Sequence, residues 1–172
     1  MLINLSDVLF EQHKTIEQEV AVDFVSFQTT FGIFPVISKE PLELKIVYQG
    51  VKKLLITAKG KIILEGCCDR CLETAEIPFK ISIHKEIDLN EDTASVYPEI
   101  KQEKGYYLDA DQLVYDELLV GWPAKILCKE ACRGLCNVCG QNLNTGACNC
   151  EDTSLNPQMA AIRDIFKNFK EV

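Results

Sequence analysis

Nine cysteines in a chain of 172 residues constrain the fold more than any other feature of the sequence. The first residues lack the basic head and apolar stretch of a signal peptide, so we expect a cytoplasmic, reducing environment. There, a dense set of cysteines favours metal binding or catalysis over disulfide bonds, and an odd number fits a disulfide framework poorly. The cysteines therefore predict at least one metal site.

The strongest motif is a pair of cysteines separated by two residues, Cys136 and Cys139, followed by Gly140. A tight turn of this kind points amide N–H groups at the sulfur atoms, and a glycine suits the left-handed backbone that often follows. A second pair, Cys148 and Cys150, comes after an eight-residue loop. Together the four predict a closed tetrahedral site for a structural zinc ion, with iron in a rubredoxin-like site as the alternative.

Four further cysteines, Cys68, Cys71, Cys128 and Cys132, can form a second zinc site. The first two lie between two predicted strands, so this site would pin a hairpin tip to the C-terminal region. Cys67 would be left over, or would replace Cys68 as a ligand. Two alternatives remain. The four are buried free thiols, or Cys68 and Cys71 are a redox pair, although thiol oxidoreductases place such a pair at a helix N-terminus.

The first two-thirds of the chain alternate apolar and polar residues, as strands with one buried face do. The clearest stretches are 42–48 and 77–87, and the run 54–64 contains a glycine, which indicates a bend or bulge. We predict an α+β fold with an antiparallel β-rich core, barrel- or sandwich-like, and a C-terminal cysteine-rich zinc module with a terminal helix. The expected domains are a β-rich core ending in a helix, 1–127, and a zinc-ribbon-like module with a helix, 128–172.

Two helices are expected after the strands. Asp109 or Asp111 can cap the first helix, which ends before Pro123. The last helix begins at Asn156 and Pro157, a cap followed by proline at the first helical position. Its apolar face has spacings of three and four, and consists of Met159, Ile162, Phe166 and Phe169.

The net charge of −8 suits a basic protein partner better than naked RNA, which usually needs a basic face. A simpler reading is that acidity only keeps the protein dissolved. The basic side chains nearest to the predicted module and last helix are Lys125, Lys129, Arg133, Arg163, Lys167 and Lys170. His13 and His84 are expected at the surface, and no phosphate loop, nucleophile motif or membrane span is evident. We therefore expect no enzymatic activity, no small-molecule substrate and no membrane.

Several segments together resemble the YceD-like proteins, in the version that carries a long zinc ribbon. They are the motif from Cys68 to Leu72 with the strand behind it, the helix through 116–119, the ribbon 132–144 and the segment 156–162. The resemblance covers roughly residues 40–170. Trp122 stands where leucine is usual and Asn137 where proline is usual, and neither is a predicted ligand.

The resemblance implies a bacterial factor needed for accumulation of large-subunit (23S) ribosomal RNA, without known enzymatic activity. We therefore expect a non-enzymatic ribosome-biogenesis factor. Its partner would be a precursor large ribosomal subunit, contacted through a basic ribosomal protein or ribosomal RNA. The alternatives are a thiol-based redox protein using Cys68 and Cys71, and a zinc-stabilised interaction module outside the ribosome.

Overall fold

The computed structural model describes residues 1–10, 15–50, 52–89, 96–102 and 105–150, with Ile162 and Ile165. The strands, in chain order, are β1 Leu2–Asn4, β2 Thr15–Val20, β3 Ser26–Thr29, β4 Gly32–Lys39, β5 Leu42–Gly50, β6 Lys53–Cys67, β7 Thr74–Asp88, β8 Ile100–Gln102 and β9 Tyr106–Asp109. Within the described part of the chain, two helices have defined bounds, α1 Ser6–Phe10 and α2 Ala110–Val120. The structure is mostly antiparallel sheet with a C-terminal cysteine cluster, which confirms the predicted α+β class.

Parts of two predictions lie outside the described residues. Ile162 and Ile165 are helical, but the rest of the predicted last helix is not described, including its basic residues Arg163, Lys167 and Lys170. His13 is also outside, whereas His84 is exposed on β7 as expected. Among the described residues, no helix is long and apolar enough to cross a membrane.

The chain forms two compact units. The sheet unit comprises 1–66 and 76–124, and the cysteine unit comprises 67–75 and 125–172. The cysteine unit thus takes the tip of the β6–β7 hairpin together with the C-terminal segment. The expected division into domains 1–127 and 128–172 stays a prediction about which parts fold independently.

The sheet unit contains two sheets, one of three strands in the order β1-β9-β8 and one of six. In the larger sheet the order is β2-β5-β6-β4-β3, and β7 also pairs with β6. The long strand β6 pairs with β5 along its first part and with β4 along its second, as the register pairs Glu43–Lys59 and Lys39–Ile62 show. Gly60 lies between these two parts, where a Cβ would be 3.4 Å from Leu42 Cγ. Closure into a barrel or sandwich stays a prediction.

The core of the sheet unit follows the alternation in the sequence. Leu42, Leu44 and Ile46 of β5 are buried, while Glu43 and Lys45 between them are exposed. Each fully buried aliphatic side chain contributes about 1.5–3 kcal/mol relative to an exposed one. The period-two pattern therefore fixes which face of the strand meets the core.

Helix α2 has a capping contact at each end, and Asp109 is one of the two residues expected to cap its start. The Asp109 side chain accepts a hydrogen bond from Gln112 N at 3.4 Å, and Gly121 N donates to Glu117 O at 2.9 Å. Tyr115 Oη donates to the carbonyl of Gln28 on β3 at 2.6 Å. The helix therefore satisfies a backbone carbonyl of β3, a strand at the end of the sheet order.

An aromatic cluster fastens the chain after α2 to the sheet. The Trp122 ring lies 5.2 Å from Phe27, 4.5 Å from Phe34 and 5.7 Å from Phe79, measured between centroids. Such pairs are worth about 0.5–1.5 kcal/mol each beyond the area they bury. Trp122 is thus a half-buried residue packed against three phenylalanine rings.

Candidate metal centres

The cysteine unit brings eight of the nine cysteines into two groups of four. In each group the four sulfur atoms lie within 4.8 Å of one another. Site 1 is Cys68, Cys71, Cys128 and Cys132, and site 2 is Cys136, Cys139, Cys148 and Cys150. These are the two sets that the sequence suggested, and their role as metal ligands stays a prediction. Cys67 is an exposed free thiol outside both groups.

The sulfur–sulfur distances in site 1 suit a metal site. Cys68 Sγ lies 3.7 Å from Cys132 Sγ, and Cys71 Sγ lies 3.6 Å from Cys128 Sγ. A disulfide would need about 2.05 Å. A tetrahedral site with metal–sulfur bonds of about 2.3 Å has sulfur–sulfur edges of about 3.8 Å. The four cysteines are therefore spaced for one thiolate-bound ion.

Two residues between the first cysteines hold site 1 together. Asp69 Oδ2 accepts a hydrogen bond from Ile126 N at 2.7 Å, and Asp69 N donates to Ile126 O at 2.8 Å. Arg70 Nη1 donates to the carbonyl of Cys132 at 2.8 Å. The two inner residues of the Cys68–Cys71 turn are thus bonded to the segment that supplies Cys128 and Cys132, so the protein itself positions the ligands.

Gly134 allows the chain to pass close to the backbone of Arg70 in the Cys68–Cys71 turn. Its φ is +76°, and a Cβ there would lie 3.0 Å from the carbonyl oxygen of Arg70. That carbonyl accepts a hydrogen bond from Leu135 N at 3.1 Å. A side chain at position 134 would therefore meet both backbone strain and a close contact with backbone.

Two asparagines support the sulfur atom of Cys132 through hydrogen bonds. Asn144 Nδ2 donates to Cys132 Sγ at 3.4 Å, and its Oδ1 accepts from Arg133 N at 2.9 Å. Asn142 Oδ1 accepts from both nitrogen atoms of Asn144 at 2.9 Å. Outer-shell groups of this kind orient ligands and stabilise thiolate charge. Sequence reasoning assigned no role to these asparagines, because nothing in the sequence shows which loop amides reach a sulfur atom.

Site 2 begins with a turn of the expected geometry. Val138 N donates to Cys136 Sγ at 3.4 Å, and Gly140 N donates to Cys136 O at 2.9 Å. Gly140 has φ of +73°, which confirms the left-handed backbone after the second cysteine. Cys139 is exposed, whereas Cys136 and the second pair of site 2 are half-buried.

Hydrogen bonds from backbone N–H groups lower the pKa of a cysteine thiol in each site. Burial would raise the pKa of Cys68, but hydrogen bonds from the backbone of Cys128, Arg70 and Cys71 outweigh it and lower that pKa to about 6. The backbone N–H groups of Cys139 and Val138 likewise lower the pKa of Cys136 to about 6. The hydrogen bond from the Asn144 side chain also lowers the pKa of Cys132, so each site has at least one thiol that readily becomes a thiolate.

Other thiols in the same sites resist ionisation. Contact with Cys139 is the largest cause that raises the pKa of Cys150 to about 12. For Cys71, the backbone N–H of Glu73 favours the thiolate, but burial and the neighbouring thiols raise its pKa to about 12. Several negative charges within a few ångströms need a cation between them. Both donor sets thus fit a divalent, thiophilic metal ion.

The geometry does not favour the redox alternative for Cys68 and Cys71. The pair lies between strands β6 and β7 and not at a helix N-terminus, and both side chains are buried. Reactive thiols are usually accessible and stand near positive charge. A pair enclosed with two further cysteines is better explained as half of a four-cysteine site.

Comparison with known proteins identifies a matching family. The family model described as "Large ribosomal RNA subunit accumulation protein YceD" matches residues 56–166, which is more than half of the chain and contains all eight cysteines of the two sites. No curated protein and no solved structure matches the chain.

Proposed function

The chain belongs to the YceD family, and on that basis we propose that it is a non-enzymatic ribosome-biogenesis factor. It supports accumulation of bacterial large-subunit (23S) ribosomal RNA in the cytoplasm, by binding a precursor of the large subunit. The observation that carries this proposal is the family match over residues 56–166. The family name itself links the chain to the large ribosomal subunit and describes an accumulation protein, not an enzyme.

The test of this proposal is the ratio of large-subunit to small-subunit ribosomal RNA in cells. Deleting the gene should lower the ratio, and the wild-type gene should restore it. Quantification of both RNAs on gels, at several growth temperatures, provides the measurement. An unchanged ratio at every temperature would contradict the role in large-subunit accumulation.

Both cysteine sites are proposed to hold zinc. Zinc bound by four thiolates has no open position, so it cross-links the protein and does not catalyse a reaction. The sulfur–sulfur distances of site 1 and the paired low and high thiol pKa values of both sites support this assignment. A rubredoxin-like iron site is the alternative, since four thiolates also suit iron.

Elemental analysis tests the metal assignment directly. Protein purified under reducing conditions should contain two zinc ions per chain. Iron at either site would give a visible colour and would correct the identity of the metal. Protein that contains no metal would refute the assignment for both sites.

Charge favours a basic protein over naked RNA as the direct partner. In the described part of the cysteine unit, the four basic side chains are Arg70, Lys125, Lys129 and Arg133, and the three acidic ones are Asp69, Glu73 and Glu130. Each four-thiolate zinc site adds a charge of about −2, so the loaded module is negative. A basic ribosomal protein is attracted to such a surface, whereas phosphate needs a cationic one.

Binding to protein-free large-subunit RNA at near-physiological salt tests this preference. We expect weak binding to the RNA alone. The comparison is a triple variant in which the exposed cations Lys125, Lys129 and Arg133 are replaced together by Ala. Tight RNA binding that is lost in this triple variant would make the cysteine unit an RNA-binding surface and overturn the preference.

A further inference from the structure

The turns that begin the two metal sites end in the same backbone conformation. Leu72 N donates to Cys68 O at 2.9 Å, as Gly140 N does to Cys136 O at the same distance. Both residues are left-handed, with φ of 61° and 73°. Position 140 has the glycine that this conformation favours, but position 72 has a leucine.

Leucine at position 72 is unfavourable for the folded chain. A left-handed conformation for a residue with a Cβ reduces the folding equilibrium constant by roughly five- to thirtyfold. The Leu72 side chain is 67% exposed, so burial offsets little of this cost. Lys52, at the β5–β6 turn, is the other described non-glycine residue with positive φ, and its side chain is polar. An exposed, strained aliphatic side chain is a candidate for function.

The residues next to Leu72 include acidic groups. The neighbouring residue Glu73 is exposed, and its Oε2 lies 3.7 Å from Cys71 Sγ. In the chain, the leucine is therefore flanked by Cys71, a member of site 1, and by the carboxylate of Glu73. The nearby cation, Arg70, donates a hydrogen bond to the carbonyl of Cys132. An exposed apolar side chain flanked by negative charge is complementary to an apolar pocket rimmed by lysine or arginine.

We propose that Leu72 is the anchor through which the cysteine unit binds a basic protein of the large ribosomal subunit. The leucine enters an apolar pocket of that protein, and Glu73 with site 1 attracts the basic residues around it. The inference rests on the proposed function and names its direct contact. RNA is a poor occupant, because its phosphates would face the carboxylate and the thiolates.

The experiment compares full-length, zinc-loaded wild-type protein with Leu72→Gly. The probe is the mixture of RNA-free proteins extracted from purified large ribosomal subunits, with captured proteins identified and the main one titrated. We expect wild type to bind a basic protein and Leu72→Gly to bind it about tenfold or more weakly. The same variant should keep both zinc ions and unfold at a higher temperature, since glycine relieves the strain.

Two further variants serve as controls. Leu72→Asn removes the apolar side chain with a residue that tolerates the left-handed region, so it should also lose binding while it stays folded. Val138→Ala shortens the exposed side chain in the other turn, which is 56% accessible, and should leave binding unchanged. A loss of binding in this second control would mean that general apolar exposure, and not Leu72, carries the interaction.

The outcomes separate this inference from the proposed function. Equal binding by wild type and Leu72→Gly would overturn the anchor, as would wild type that binds only protein-free large-subunit RNA or nothing in the mixture. In each of these cases the ribosomal RNA ratio in deleted and complemented cells still decides the proposed function. An unchanged ratio in deleted cells would reject the function even if the anchor variants lose binding in vitro.

Discussion

An ion pair between a buried carboxylate and a half-exposed lysine joins the two sheets of the sheet unit. Glu99, just before β8, is fully buried, and its Oε1 lies 2.6 Å from Nζ of Lys85 on β7. Neither carboxylate oxygen has an aligned hydrogen bond within the described part of the chain. Lys85 is 37% exposed and its Nζ lies 5.6 Å from the centroid of the Tyr97 ring. Lys85 is therefore the main compensation for a buried negative charge.

This arrangement predicts that the two residues respond unequally to substitution. Lys85→Met leaves the carboxylate buried without a cation, which should cost about 3–5 kcal/mol of unfolding free energy. Glu99→Met leaves a lysine that can reach water, so its effect on the free energy of unfolding should be close to zero. In the double variant the penalty should disappear, because no buried charge remains. The coupling free energy should therefore be about 3 kcal/mol or more.

Urea denaturation of the zinc-loaded protein at pH 7, followed by far-UV circular dichroism, measures all four free energies. The two single variants and the double variant form a closed cycle, so global effects of methionine are subtracted. A loss below about 1 kcal/mol for Lys85→Met would mean that water reaches the carboxylate and that the pair is energetically a surface pair. A double variant as unstable as Lys85→Met would show that the lysine acts by packing and not by charge.

Two shorter predictions concern the cysteine unit and the aromatic cluster. Cys139→Ser should remove one of two zinc ions and unfold the region around site 2 while most of the sheet signal remains. Elemental analysis measures the zinc content, and far-UV circular dichroism measures the sheet signal. Loss of both ions or of the whole sheet signal would contradict this prediction. Trp122→Leu should cost about 2–3 kcal/mol in urea denaturation, because contacts with three aromatic rings are lost. A change below about 0.5 kcal/mol would contradict that estimate.

The strands were predictable where burial follows a strict period of two. On β5 and β7, alternate residues such as Ile46, Ile81 and Ile83 are buried, and the sequence alone identifies that face. The pairing of β4 and β5 with successive parts of β6 was not predictable, because a period of two assigns a face and not a partner. The glycine at position 60 indicated a bend in β6 but not the strands that meet there.

The grouping of cysteines was predictable from spacing and number, but the support around them was not. Asp69 and Arg70 stand inside the first motif, yet their partners, Ile126 N and Cys132 O, are about sixty residues away in the chain. Hydrogen bonds between distant segments leave no periodic signal in one sequence. For the same reason, the strain at Leu72 was visible only from the backbone dihedral angle.

The two sites differ in how they are assembled, and this predicts the order in which they lose metal. Site 2 takes all its ligands from residues 136–150, and Cys139 is exposed. Site 1 joins segments 57 residues apart, such as Cys71 and Cys128, and three of its four cysteines are buried. A chelator must reach the sulfur atoms, so it should remove zinc from site 2 in a fast phase and from site 1 in a slow one. A chromophoric zinc chelator measures both phases, and Cys139→Ser should lack only the fast one. A variant that lacks the slow phase instead, or simultaneous release of both ions from wild type, would refute independent assembly of the two sites.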